Sequence, residues 1–222
     1  MTDPAPLTLT GYRFSVYTRS VAMALHAKGV CHTYKECDPF DPVQARALLG
    51  VHPFGRVPVL QHGDFTLWET AAILHYSDTA FPGPVLTPDD LRGAARMRQV
   101  MGIADAYVYG PLVRGAVSNA LFAPLEGTPP DTAALDAGLT AAPRVLDALN
   151  DIAAEGLTLR PGHLCLGACQ LWPMLDYFTK VDAGAAMLTT RLALAAWAAA
   201  MGEHPAAICT RPDLTILTGD PQ

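Results

Sequence analysis

Apolar and polar positions change their spacing along this chain, and the change falls near residue 83. Before it, short alternating runs take turns with helical ones. Leu7-Thr8-Leu9-Thr10 alternates apolar and polar side chains, the pattern of a half-buried strand. Thr18 to Gly29 places Val21, Ala24 and Leu25 on one helical face and ends on a glycine stop. His32 to Glu36 reads as a second strand and Pro42 to Leu49 as a short helix. Val57–Gln61 and Phe65–Trp68 form a hairpin around His62-Gly63-Asp64. Glu69 to Phe81 then reads as a helix burying Ala72, Ile73, Tyr76 and Ala80. The order is β-α-β-α-β-β-α.

Pro82-Gly83-Pro84 interrupts this pattern, and only helical spacing follows. Thr87-Pro88-Asp89-Asp90 has a hydroxyl cap, a first-turn proline and acids, so a helix is expected to open there. It carries Met97, Met101, Ala104 and Val108 on one face, runs past Tyr107 and is expected to kink at Pro111. Further helices are predicted at about 132–155, 165–181 and 186–202. The reading is a small α/β domain over 1–83 and an all-helical domain over 84–222.

Composition narrows the function classes. Half of the 222 residues are hydrophobic and 16% are charged, the balance of a well-buried globular chain. A net charge of −6 argues against nucleic acid or an anionic membrane as partner, since both reward clustered Lys and Arg. Arg92, Arg96 and Arg98 lie at helical spacing and read as a solvated face. The longest apolar run, Leu192 to Met201, is ten residues, half of the roughly 20 a membrane span needs. Residues 1–6 lack a basic segment followed by an apolar run, so no secretory signal is expected. The five cysteines are odd in number and form no Cys-x-x-Cys. They read as free thiols in a reducing cytoplasm, with no metal expected.

Two stretches then suggest a ligand. His52-Pro53-Phe54-Gly55-Arg56-Val57-Pro58-Val59-Leu60, followed by Glu69-Thr70, resembles the pattern Asn-Pro-x-Gly-Lys-Val-Pro-x-Leu with Glu-Ser at the next helix. Ser15-Val16-Tyr17-Thr18-Arg19-Ser20-Val21-Ala22-Met23-Ala24-Leu25 is similar to a first βα junction Ser-Pro-x-x-Arg-x-Val-Arg-x-Ala-Leu. Leu171 to Phe178 and Leu194-Ala195-Ala196-Trp197 with His204-Pro205 resemble the matching segments of the helical domain. These patterns belong to cytosolic, bacterial-type glutathione S-transferases, and the resemblance covers almost the whole length. It implies a thioredoxin-like first domain, and a helical second domain that contributes the electrophile pocket.

The resemblance also implies roles. Val57-Pro58 is expected to be a cis bond that turns the Val57 backbone toward the cysteinyl part of glutathione, as an added strand would pair. An ordinary trans proline at a strand start is the alternative. Glu69 and Thr70 are expected to hold the γ-glutamyl head at a helix N-terminus, although the same residue types also cap helices without a ligand. Arg56, where the family has lysine, is assigned to the glycyl carboxylate. Ser15 is assigned to stabilising the thiolate, with Tyr17 as the leading alternative and Tyr12 and Thr18 as further hydroxyls nearby. Phe14, Tyr107 and Leu112 are expected as apolar walls for a hydrophobic electrophile. Glutathione is the co-substrate, a homodimer with Phe54 at its interface is expected, and the location is cytoplasmic.

Departures from the pattern keep a non-catalytic binding or interaction protein open as the alternative. Val16 replaces proline, Ala22 arginine and His52 asparagine. Cys165-Leu166-Gly167-Ala168 replaces a Ser-x-x-Asp capping box, which weakens a helix start by about 0.5–2 kcal/mol. A thiol-disulfide oxidoreductase on the same fold needs a cysteine at the first βα junction, and positions 12–20 contain none.

Overall fold

A computed structural model describes residues 5–218, and the chain divides after Leu86 into two compact units. The first unit has the order read from the sequence: β1 (Leu7–Gly11), α1 (Val16–Ala27), β2 (Thr33–Glu36), α2 (Pro42–Leu48), β3 (Val59–His62), β4 (Phe65–Trp68) and α3 (Thr70–Ala80). The strands lie in the order β2-β1-β3-β4. β1 runs parallel to β2 and antiparallel to β3, and β3 pairs antiparallel with β4. Leu7, Leu9 and Leu60 of the sheet pack with Val21 and Leu25 of α1 and Ile73 of α3. Gly29, at φ 69°, ends the α1 turn in the left-handed region that the sequence stop implied.

Helix α1 begins two residues earlier than its hydrophobic spacing suggested, because Ser15 caps it. The Ser15 Oγ accepts the Thr18 N–H at 3.2 Å. Gly11 allows this closeness of strand end and helix start. A Cβ at that position would fall inside the Thr18 side chain.

Helix α3 buries a different face from the one expected. Ile73 is buried, but Ala72 and Ala80 are exposed and Tyr76 is only half-buried; Thr70, Leu74, Ser77 and Asp78 turn inward instead. The reason is an ion pair that hydrophobic spacing cannot reveal. Lys28 Nζ lies 3.3 Å from Asp78 Oδ1, with the two side chains 1% and 2% exposed. Lys28 also donates to the Pro84 carbonyl at 3.0 Å, and Asp78 accepts the Leu86 N–H at 2.8 Å. The pair therefore fastens the segment after α3 to α1 and α3.

The second unit contains α4 (Leu91–Ile103), α5 (Ala104–Phe122), α6 (Thr132–Ala154), α7 (Leu166–Phe178), α8 (Asp182–Thr189), α9 (Leu192–Gly202) and α10 (Pro205–Cys209). Helix α4 starts at Leu91 rather than Pro88, because Asp90 supplies the cap by accepting the Gly93 N–H at 2.7 Å. Met97 and Met101 of α4 and Ala104 and Val108 of α5 are all buried, as expected. In place of a kink confined to Pro111, α5 winds in wide π-type turns through Phe122. Helices α5 and α6 cross closely at Gly115 and Gly138, where a Cβ on Gly138 would collide with the Pro111 carbonyl.

The helix expected over 186–202 is two helices. Asn150 Oδ1, on α6, accepts the Ala193 and Leu194 N–H groups at 3.1 and 3.3 Å and so caps α9 from outside its own segment. Helix α7 starts at Cys165 without a side-chain cap, as loss of the capping box implied. Trp197, Tyr177 and Phe178 are the largest side chains in the buried interior of this unit. All five cysteines are free thiols.

Breaking the buried ion pair from one side leaves an uncompensated charge. Asp78→Ala is expected to cost about 3–5 kcal/mol in denaturant unfolding, and the double change Lys28→Met with Asp78→Leu to cost clearly less. Equal losses in the two variants would contradict this account of α3.

Candidate functional site

The strand registers place the residues singled out in the sequence at one end of the sheet. Thr10 pairs with Val59, and Val59 pairs with Trp68. Continuing those registers by one residue sets Pro58 beside both Gly11 and Glu69. The end of β1, which leads to Ser15, therefore lies beside the start of β3 that follows Val57-Pro58, and the Glu69-Thr70 junction lies one strand further across the sheet.

Ser15 is half-buried in the turn between β1 and α1. Its N–H donates to the Tyr12 carbonyl at 2.9 Å. As a cap its oxygen acts as an acceptor, which leaves the hydroxyl hydrogen available for donation. Thr18, one of the competing hydroxyls, is buried and accepts the Tyr12 N–H at 3.3 Å. Tyr12 packs edge-on against Phe14 at 5.4 Å and Phe40 at 5.9 Å between ring centroids. Tyr17 is the second residue of α1 and is half-buried. Val16, in the place of the family's proline, is buried.

The Val57-Pro58 bond is cis. Val57 stands two residues ahead of the first paired position of β3, outside the ladders, and is half-buried. Arg56 beside it is exposed.

His52 has a role that the sequence did not suggest. It is 2% exposed, and its Nδ1 accepts the Phe54 N–H at 3.1 Å. The neutral ring therefore carries its proton on Nε2. Its carbonyl takes the Gly55 N–H at 2.9 Å, so one residue pins both ends of the turn before Val57. The ring packs on Trp68 at 5.2 Å, next to Phe54. Burial pushes the His52 pKa down, against the pull of the Glu69 carboxylate. A histidine whose folded pKa lies below its unfolded value stabilises the fold above the unfolded pKa. That contribution is lost as the pH falls below about 6.5, where the unfolded chain takes up the proton. A histidine in an asparagine position was the available signal, and its spacing to Phe54 was the clue to its hydrogen bond.

Glu69 has a backbone of φ 72° and ψ 116°, a left-handed conformation for a residue with a side chain. Such geometry costs on the order of 1–3 kcal/mol and persists where the surroundings impose it. Glu69 is exposed and gives α3 no side-chain cap. Helices α1, α2, α4 and α6, by contrast, are capped by Ser15, Asp41, Asp90 and Asp131. Thr70, 7% exposed, is the first residue of α3. The first-turn N–H groups of α3 have no intrahelical acceptor, and together with the helix dipole they suit an anion.

The three expected pocket walls fare differently. Tyr107 is 63% exposed and Phe14 8%. Leu112 has no exposed surface and is a core residue of the helical unit, so it offers no wall to a ligand. Among the described residues there is no cluster of three metal-ligating side chains, and no helix is long and apolar enough to cross a membrane.

Residues 9–85 match the family model described as the glutathione S-transferase N-terminal domain. Glutathione S-transferase F13 of Arabidopsis thaliana is 25% identical over 217 residues, covering 95% of this chain and 97% of its own. A probable glutathione S-transferase of Oryza sativa subsp. japonica is 30% identical over 148 residues, covering 61% of this chain and 68% of its own. Both relatives are plant proteins, so they do not carry the bacterial type expected from the sequence. The structure of glutathione S-transferase III in its apo form superposes with a TM-score of 0.80 at 27% identity, over 93% of this chain and 95% of that one. These similarities extend over both units: the chain belongs to the glutathione S-transferase family.

Proposed function

We propose that this protein binds glutathione at the end of the sheet and that Ser15 stabilises the thiolate for attack on a small apolar electrophile. The observation that carries the proposal is that two strand registers bring the end of β1 before Ser15, the start of β3 after cis Val57-Pro58 and the end of β4 before uncapped Glu69-Thr70 to one end of the sheet. In this reading the N–H groups and hydroxyl at Thr70 take the γ-glutamyl carboxylate, and Glu69 accepts from its ammonium group. The Val57 backbone pairs with the cysteinyl unit, Pro58 sets its direction, and Arg56 meets the glycyl carboxylate.

The energetics suit a single hydroxyl. A free thiol ionises near pH 8.5, and bringing it to neutrality takes roughly 2.7 kcal/mol. A hydrogen bond to a charged group contributes about 1.5–3 kcal/mol, and a helix N-terminus about 0.3–1 more. Ser15 supplies the first at the start of α1, which supplies the second. The thiol proton goes to solvent and the thiolate sulfur forms a bond to the electrophilic carbon; the displaced electron pair departs with the leaving group or, at an activated double bond, moves from the broken π bond onto the activating group, which then takes up a proton. The helical domain contributes the apolar pocket, with Tyr107, 63% exposed, among its walls. A cytoplasmic homodimer completes the proposal, with Phe54, 66% exposed, as its anchor.

Ser15→Ala is expected to raise the pKa of the bound glutathione thiol by about one to two units and to lower kcat/KM at neutral pH about ten- to hundredfold. Tyr17→Phe should change neither. A thiol titration unchanged by Ser15→Ala and shifted by Tyr17→Phe would transfer the role to Tyr17. A thiol that titrates at its free value in the unaltered protein would favour a non-catalytic binder. Light scattering should give twice the chain mass, falling toward one chain in Phe54→Ala; a monomeric unaltered protein would remove the dimer.

A further inference from the structure

We propose that Glu36 is a positioning residue for Ser15: its carboxylate holds the turn between β1 and α1 in place by accepting the backbone N–H of Arg13. The proposal rests on the reading of Ser15 as the thiolate stabiliser and adds what fixes that hydroxyl.

The turn from Tyr12 to Ser15 is tied in three ways. Tyr12 N–H donates to Thr18 Oγ1 at 3.3 Å, and Ser15 N–H to the Tyr12 carbonyl at 2.9 Å. Both bonds stay within the turn and the helix it opens, so they move with Ser15. The third reaches a different element: Arg13 N–H donates to Glu36 Oε1 at 3.1 Å, across 23 residues of sequence. This bond refers the position of the turn to the sheet.

The fold places Glu36 for this contact. β2 is an edge strand, and its register sets Glu36 opposite Gly11, the last residue of β1. The next residue, Cys37, donates its N–H to the Gly11 carbonyl at 2.7 Å, so the backbone beside Glu36 is fixed to the point where β1 stops.

The bland reading is a surface ion pair. Arg13 Nε does lie 3.3 Å from Glu36 Oε2, with the side chains 46% and 32% exposed, and the contact is not aligned as a hydrogen bond. Exposed pairs of that kind contribute little. A carboxylate is also an acceptor only, so it cannot donate to a thiolate and would repel one. Glu36 therefore acts through the Arg13 backbone and not on the sulfur.

The test compares Glu36→Ala with Glu36→Gln, whose amide oxygen can still accept the same N–H. Two quantities are read: amide hydrogen exchange at Arg13 in the free protein, and the pKa of the bound glutathione thiol. In Glu36→Ala, exchange at Arg13 is expected to speed up about tenfold or more. The thiol pKa should rise by about half to one unit, with kcat toward an activated aryl halide falling about three- to tenfold. KM for glutathione should stay within about twofold, because the groups that hold it are untouched. Glu36→Gln should restore both readings.

A folded Glu36→Ala with unchanged exchange and unchanged thiol pKa overturns the proposal. So does a Glu36→Gln as impaired as Glu36→Ala, since charge and not acceptor geometry would then matter. If Glu36→Ala does not fold, Glu36→Leu, which also lacks the acceptor, should give the same two shifts, and their absence overturns the proposal equally. A thiol that titrates at its free value in the unaltered protein sinks the role of Ser15 instead, while exchange at Arg13 still reports whether Glu36 holds the turn.

Discussion

The pairing of β3 with both β1 and β4 is the constraint on which the site depends. Thr10↔Val59 and Val59↔Trp68 together decide which residues share the end of the sheet. A slip of one residue in either pairing would turn Leu60 out of the core and move Pro58 away from Gly11 and Glu69. The core therefore enforces the site: Leu9, Val59 and Leu60 are essentially without exposed surface, and that burial fixes the register. The Ser15 turn is then anchored on the other side of β1, where Gly11 faces Glu36 across the β1/β2 register.

Around this constraint the two relevant helix starts are treated differently. Helix α1 is satisfied by the Ser15 side chain, whose oxygen accepts and whose hydrogen remains available. Helix α3 has no side-chain cap, and the residue before it holds a left-handed backbone. A capped start suits a hydroxyl that must be held still. An uncapped start suits an incoming carboxylate. In the proposed function, affinity and activation thus rest on different elements of one sheet end, and His52 fixes the turn that leads to Val57.

Most of the fold was legible because its signals are local. The β-α-β-α-β-β-α order, the hairpin and the buried face of α4 follow from period and turn chemistry. Two of the misreadings share a cause: a polar side chain from elsewhere in the chain overrode the local pattern. Asp78 turned α3 because Lys28 comes from α1. Asn150 of α6 made a new start at α9. Asp90 displaced Thr87 as the cap of α4, a choice between two adequate signals within one turn. For the candidate site, family-like spacing singled out Ser15, Val57-Pro58 and Glu69-Thr70. It could not supply the backbone of Glu69, the tautomer of His52 or the reach of Glu36, which exist only once the strands are paired. Leu112 was misjudged for a simpler reason, since apolar character does not distinguish a pocket wall from a core position.

A crystal structure of the glutathione complex would show the geometry of this sheet end. The glutathione sulfur is expected within about 3.5 Å of Ser15 Oγ, with the γ-glutamyl carboxylate on the N–H groups that open α3. A sulfur held by the Tyr17 hydroxyl, or a tripeptide lying away from Val57 and Glu69, would contradict this placement.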